Sequence, residues 1–283
     1  PIQIYESDSK TKFMSYGDSI SKGKSVAGYV VYEVDKDAKY ELHFAPSFYE
    51  DIKEDSKKNN DVAIKVDPSK YEDHIDEAKE VMKKYVDAVY LNGESSGGGT
   101  NLSTSDNKAQ VVSLADDKKS SDGDAEFTND VKADREEFIK KFVESFGKGF
   151  YNYKPSDAEL RTFAEAYIKA NSKRAKIDYK VKTYLPDYAV IYVRPETIDL
   201  DNLNVYELSR KFYDENKGKY SNYSEAMKAG EKYILENAPS QFESTPLDTS
   251  NSMRKEGYEI KMTKKDGKWT IDTSSKNYDL KDM

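Results

Sequence analysis

The chain has 283 residues, 36% hydrophobic and 35% charged, with a formal net charge of −8 and no cysteine. That length allows two domains of ordinary size under a heavily charged surface, while the acidic balance argues against nucleic-acid binding. The lack of Cys excludes disulfides, thiolate metal sites and cysteine nucleophiles, and the longest apolar run, Ala189–Val193, is far short of the roughly 18 residues of a membrane span.

Residues 1–66 read as β structure. Ile2-Gln3-Ile4-Tyr5 and Lys12-Phe13-Met14 are short candidate strands, and Ser25–Val34 places Val26, Val30, Tyr32 and Val34 on one face. Lys39–Phe44 follows a polar turn at Asp35-Lys36-Asp37, and Asp61–Val66 closes the set. Gly23 sits in a turn, whereas Gly28 lies inside a strand and marks a bulge or a close neighbour.

A helix is expected from Asp67-Pro68-Ser69, with an apolar stripe of Tyr71, Ile75, Ala78, Met82, Tyr85, Val86 and Val89, ending at Asn92-Gly93. Residues 93–124, rich in Ser, Gly, Asn, Asp and Lys, read as an exposed mobile loop or linker. Two motifs fall near it. Gly93-Glu94-Ser95-Ser96-Gly97 has the spacing of a nucleophile elbow, but a helix precedes it and both His residues lie upstream, so the linker reading is preferred. Asp116–Asp124 suggests a calcium loop until Gly123 is set at the sixth position. Lys118 then falls where the first carboxylate belongs and Asn129 replaces the bidentate acid, which leaves a solvated loop.

Two helices follow, one with Val131, Arg135, Phe138, Phe142 and Phe146 at helical spacing before Gly147 and Gly149. The other carries Leu160, Phe163, Ala164, Tyr167 and Ile168 after a Pro155-Ser156-Asp157 start. They are the expected covers of a hairpin over Lys176–Val193 that turns at Pro186-Asp187. Its first strand sets Ile177, Tyr179, Val181 and Thr183 against Lys176, Asp178, Lys180 and Lys182, and its second, Tyr188–Val193, is apolar on both faces and so central. A short likeness between Met82–Ala88 and Ile139–Ser145 reads as two amphipathic helices of similar composition rather than a repeat. Helical patterns return with Val205, Leu208 and Phe212, then Tyr223, Met227 and Ile234. Residues 239–251 read as a polar loop. A final hairpin sets Tyr258, Ile260 and Met262 on one face, turns through Lys264–Lys268, and brings Trp269 and Ile271 back inward. Ile177, Val181, Val190, Ile191, Phe163, Tyr167 and Trp269 are expected to share one core.

The stretch Ile20–Val34, continuing to Tyr40-Glu41-Leu42-His43-Phe44, resembles the closing half of an immunoglobulin-like domain of unknown function attached to Gram-positive lipoproteins. That resemblance implies further strands upstream and hence a sandwich truncated here. From residue 69 onward, the Tyr-Ala-Val-Ile-Tyr-Val strand, the Ile198-Asp199-Leu200 turn and the final Lys268-Trp269-x-Ile271 resemble a second domain of unknown function found in lipoproteins of enterococci and their relatives. The fold class implied is α+β. It comprises an N-terminal antiparallel β-sandwich over 1–68 and a cystatin-like or nuclear-transport-factor-like module over 69–283, with a curved antiparallel sheet covered by helices.

Chemistry is sparse. His43 sits on a strand and His74 at the polar side of a helix start; two separated His residues without Cys point away from a zinc site and towards surface roles. No catalytic, cofactor-binding or metal-binding residue is nominated, and no cofactor is expected. The 23 tyrosines suit either a ligand cleft for carbohydrate or peptide or the edges of ordinary cores, and both readings stay open. The expectation is a non-catalytic, extracellular lipoprotein ectodomain that binds an unidentified extracellular ligand or envelope protein. It would be held to the membrane by a lipidated Cys upstream of Pro1. The rivals are a carboxylate-dependent glycosidase and a structural spacer; two facing buried carboxylates in a cleft would favour the first, a closed core without concavity the second.

Overall fold

A computed structural model describes residues 23–25, 29, 31–32, 34–44, 62–91, 127–251, 253–274 and 279–280. The chain divides into two compact units, 1–76 and 77–283. In the first, strands β1 (Tyr40–Phe44) and β2 (Val62–Val66) pair antiparallel, Leu42 opposite Ile64. The candidate strands at 2–5 and 12–14, and half of 25–34, lie outside the described residues, as do 93–124 and both motifs near it. Among the described residues of this unit there is a two-stranded sheet and no sandwich.

The second unit is mixed α and β. Helix α1 spans Ile75–Tyr90, later than the sequence pattern suggests. Pro68 instead opens a single 3-10 turn, Pro68–Lys70, where the Asp67 carboxylate accepts from the Ser69 hydroxyl at 2.5 Å. Asp73 Oδ1 then accepts from the Ile75 amide at 3.0 Å and starts the helix there, leaving Tyr71 exposed. Helix α2 (Val131–Phe146) is capped by Asp130 and stops at Gly147. Helix α3 (Asp157–Arg174) begins with a reciprocal capping box, Ser156 and Glu159 each bonding the other's backbone amide.

Strands β3 (Lys176–Leu185) and β4 (Tyr188–Ile198) form the expected hairpin. After α4 (Val205–Asn216) and α5 (Tyr223–Asn237) come the two-residue strand β5 (Leu247–Asp248), then β6 (Tyr258–Lys265) and β7 (Lys268–Ile271). The strand order is β3-β4-β6-β7, with β5 paired to the end of β4. Asp266 and Gly267, both at positive φ (52° and 79°), make the tight turn between β6 and β7. Thr128 donates to the Trp269 carbonyl, and the Asn129 side chain bonds both the amide (2.8 Å) and the carbonyl (3.0 Å) of Ile271, so Asn129 serves β7 as a partner strand would.

The cover of the central hairpin is α1; of the two expected covers, α3 meets the end of β4 and α2 stacks on α3. The α1 stripe of Ala78, Val81, Met82, Tyr85, Val86 and Val89 packs on Ala189, Ile191, Val193, Ile260, Met262, Trp269 and Ile271, with Ile177, Tyr179 and Val181 alongside. Each such buried aliphatic side chain contributes roughly 1.5–3 kcal/mol. A register shift between Val181 and Thr183 reverses the alternation, so Tyr184 rather than Thr183 joins this core. Val190 points to the opposite face from Ile191. Phe163 and Tyr167 belong to a second core with Ile198, Leu208, Leu235 and Phe242. The residues expected in one core are therefore divided between two, with Val190 in neither. Residues 239–251 are more than a polar loop, since Phe242 and Thr245 are buried there. On α4 and α5, Val205, Tyr223 and Met227 are exposed, whereas Leu208 and Ile234 pack as expected and Leu235 joins them.

Candidate functional site

The two cores follow from what each helix carries. The mostly aliphatic stripe of α1 lies on the sheet, whereas Phe142 and Phe146 of α2 stack on α3: Phe146 meets Phe163 at 4.4 Å between centroids, and Phe142 meets Tyr167 at 5.4 Å. The sheet holds α1 and α3 holds α2, so a gap opens between α1 and α2. Three bridges cross it. Arg135 donates through Nη2 to the Ala88 carbonyl (2.5 Å) and through Nε to the Val89 carbonyl (3.2 Å), satisfying open groups in the last turn of α1 with a cation where the helix dipole favours one. Burial draws the Arg135 guanidinium below its ordinary pKa, and neighbouring Glu136 opposes that shift. Tyr85 donates to Asp134 Oδ2 at 3.0 Å, and Tyr90 packs edge-on to Phe138 at 4.8 Å.

The remaining space is a cleft of two adjoining cavities. The first, about 160 Å³, is walled by Val86, Tyr90, Phe138, Phe142, Tyr167 and Ile168, with Ile177 and Pro195 at its sheet side. Its polar groups are largely committed. Asn171 Oδ1 accepts from the Ile198 amide at 2.9 Å, and Tyr167 donates to the Ile198 carbonyl at 2.9 Å, which ties α3 to the end of β4. The second cavity, about 330 Å³, holds Tyr85, Asp134, Glu137, Lys141 and Ser145, and shares Tyr90, Phe138 and Phe142 with the first. Burial raises the phenol pKa of Tyr85, Tyr90 and Tyr167; nearby Asp134 pushes Tyr85 and Tyr90 further up, and Asp199 adds to the shift at Tyr167. All three are neutral donors at pH 7.

The three tyrosines of this cleft, Tyr85, Tyr90 and Tyr167, lie on helices. The signal was available in Phe138 and Phe142, four residues apart and longer than the neighbouring stripes require, but the partner rings on α3 are distant in sequence. His43 lies 3.4 Å from Glu41 and His74 3.6 Å from Glu72, both about half exposed, and neither lines the cleft. Among the described residues, no three His, Asp or Glu side chains converge as a metal site would require.

A family described as "Domain of unknown function (DUF5105)" matches residues 116–281, more than half of the chain. The chain belongs to this family. The match takes in α2, α3 and the main sheet; α1, which supplies Tyr85, Val86 and Tyr90 to the cleft, lies ahead of it. The uncharacterized lipoprotein YcdA of Bacillus subtilis (strain 168) is 24% identical over 272 residues, covering 90% of the chain. The chain spans 64% of that relative's length. The crystal structure of YcdA superposes with a TM-score of 0.53 at 20% identity, covering 87% of the chain and 67% of YcdA, a likeness of fold. No described helix is long and apolar enough to cross a membrane.

Proposed function

We propose that the chain is the ectodomain of a surface lipoprotein, a non-catalytic binding module whose site is the aromatic cleft between α1 and α2. The observation that carries this reading is the first cavity, a mainly apolar space with a few placed polar groups, the make-up of a small-molecule site. A dry apolar cavity of about 150 Å³ accommodates benzene, so this one suits a small ring. The glycosidase alternative needs two carboxylates facing each other across the substrate. In the cleft, Asp134 and Glu137 stand three residues apart on one helix, and Glu137 lies 3.4 Å from Lys141. A lipid anchor upstream is supported by the lipoprotein relative, which matches along nearly the whole chain. The antiparallel β1–β2 pair supports an immunoglobulin-like reading of the first unit.

Two measurements test this. 2-Phenylethanol is expected to bind with a Kd of about 1 mM by calorimetry. Ile177→Phe, which fills the cavity from its half-buried sheet side, should abolish that binding without lowering the melting temperature by more than a few degrees. Unchanged binding in the filled variant would remove the cleft from the reading. In the gene, an apolar segment ending in small residues before a Cys is expected upstream of Pro1; an initiator Met directly before Pro1 would refute the anchor.

A further inference from the structure

The second cavity differs chemically from the first. Four rings wall it, Tyr85, Tyr90, Phe138 and Phe142, and among the described residues its charged groups are Asp134, Glu137 and Lys141. Lys141 is held by Glu137 at 3.4 Å, and among the described residues no cation lies within ion-pair distance of Asp134. Asp134 is half-buried. Its Oδ2 accepts from Tyr85 Oη at 3.0 Å and from Asn129 Nδ2 at 3.3 Å, both neutral donors. Among the described residues, nothing donates to Oδ1.

A half-buried carboxylate in the first turn of α2, paired with no cation among the described residues, attracts a positive charge more strongly than a fully exposed one does. The ring faces beside it carry negative potential and favour the same sign. An anion entering this space would meet Asp134, and a neutral group would draw little from it. The two cavities adjoin at Tyr90, Phe138 and Phe142, so a positively charged head in the second lies next to an apolar body in the first.

We propose that the cleft binds an amphipathic organic cation, its ammonium group between Asp134 and the rings of Tyr85, Tyr90 and Phe138 and its apolar body in the neighbouring cavity. This rests on the reading of the cleft as a binding site and adds the charge of what it binds. Three probes of similar size separate the two claims: 2-phenylethylammonium, 2-phenylethanol and 3-phenylpropionate, each titrated calorimetrically into the chain and into Asp134→Asn. The ammonium is expected to bind about tenfold more tightly than the alcohol, from a desolvated cation–ring and carboxylate contact, and the propionate more weakly than either. In Asp134→Asn the ammonium preference should fall to the few-fold that the rings alone supply.

Equal affinities in the unaltered chain, or an ammonium preference undiminished by Asp134→Asn, would overturn the cation site and leave the apolar cleft standing. Failure of all three probes to bind would overturn the cleft reading and this proposal with it. If Asp134→Asn loses its cooperative melt, Phe138→Leu removes a ring and keeps the carboxylate. It should lower the ratio of ammonium to alcohol affinity, and an unchanged ratio would count against the site.

Discussion

Trp269 joins the last strand to the first helix of the second unit, and replacing it tests that architecture directly. Its side chain is fully buried in the core under α1. Its Nε1 donates to Glu77 Oε1 at 3.0 Å, an oxygen that Lys264 Nζ also reaches at 2.7 Å while lying 5.2 Å above the indole. Trp269→Ala removes the ring and leaves a cavity that α1 and the sheet cannot both close, a loss of about 3–5 kcal/mol. The lost indole bond adds little, because Glu77 keeps Lys264. Against a typical total of roughly 5–15 kcal/mol this is a large fraction. Trp269→Phe keeps an aromatic ring and should cost about 1–2 kcal/mol less than the alanine change. Urea unfolding followed by far-ultraviolet circular dichroism reads both, since the substitutions delete the chain's one Trp as a fluorophore. The unaltered chain should show blue-shifted emission that moves red in the same transition. A cost below about 1 kcal/mol for Trp269→Ala, at an unchanged denaturant slope, would refute the packing of α1 on β6 and β7.

Gly257 precedes β6 at φ 114°, where an added Cβ would lie 2.6 Å from the Val193 carbonyl oxygen; Gly257→Ala should cost at least about 1–3 kcal/mol by the same urea assay, as both strain and a backbone clash are unavoidable. Tyr179 has its hydroxyl buried without a hydrogen-bond partner among the described residues, and burial raises its pKa. Tyr179→Phe is therefore expected to be neutral or stabilising by about 1 kcal/mol, a result read from the urea midpoint. The Tyr153 hydroxyl, with Ser156, holds Glu159 down at about 2 from the ordinary 4.5. A folded pKa below the unfolded one gives stability that is complete above about 4.5 and lost as pH falls towards about 2. Glu159→Gln should therefore lower the melting temperature at pH 7, and its difference from the unaltered chain should shrink through that acid window.

The sequence by itself determined most of the second unit's secondary structure, because that information is local. Phe138, Phe142 and Phe146 return every four residues, Ser156 and Glu159 stand at capping-box spacing, and Asp266-Gly267 admits the positive φ of a tight turn. It also placed Trp269 and Ile271 in a core. It misplaced the helix start at Pro68, since an N-cap residue followed by Pro is equally good at opening one 3-10 turn. It read Thr183 as core-facing, because a bulge at Lys182 leaves no trace in the alternation. The partner of each apolar stripe was decided only by tertiary structure. The stripes of α1, α2 and α3 are all apolar enough to cover a sheet, and which does so depends on whether its residues stack on another helix or lie flat on β4. The cleft is the gap left by that division of partners. Residues 85–90, 134–142 and 167–171 meet there from three helices, so no local pattern could place Asp134 beside Tyr85.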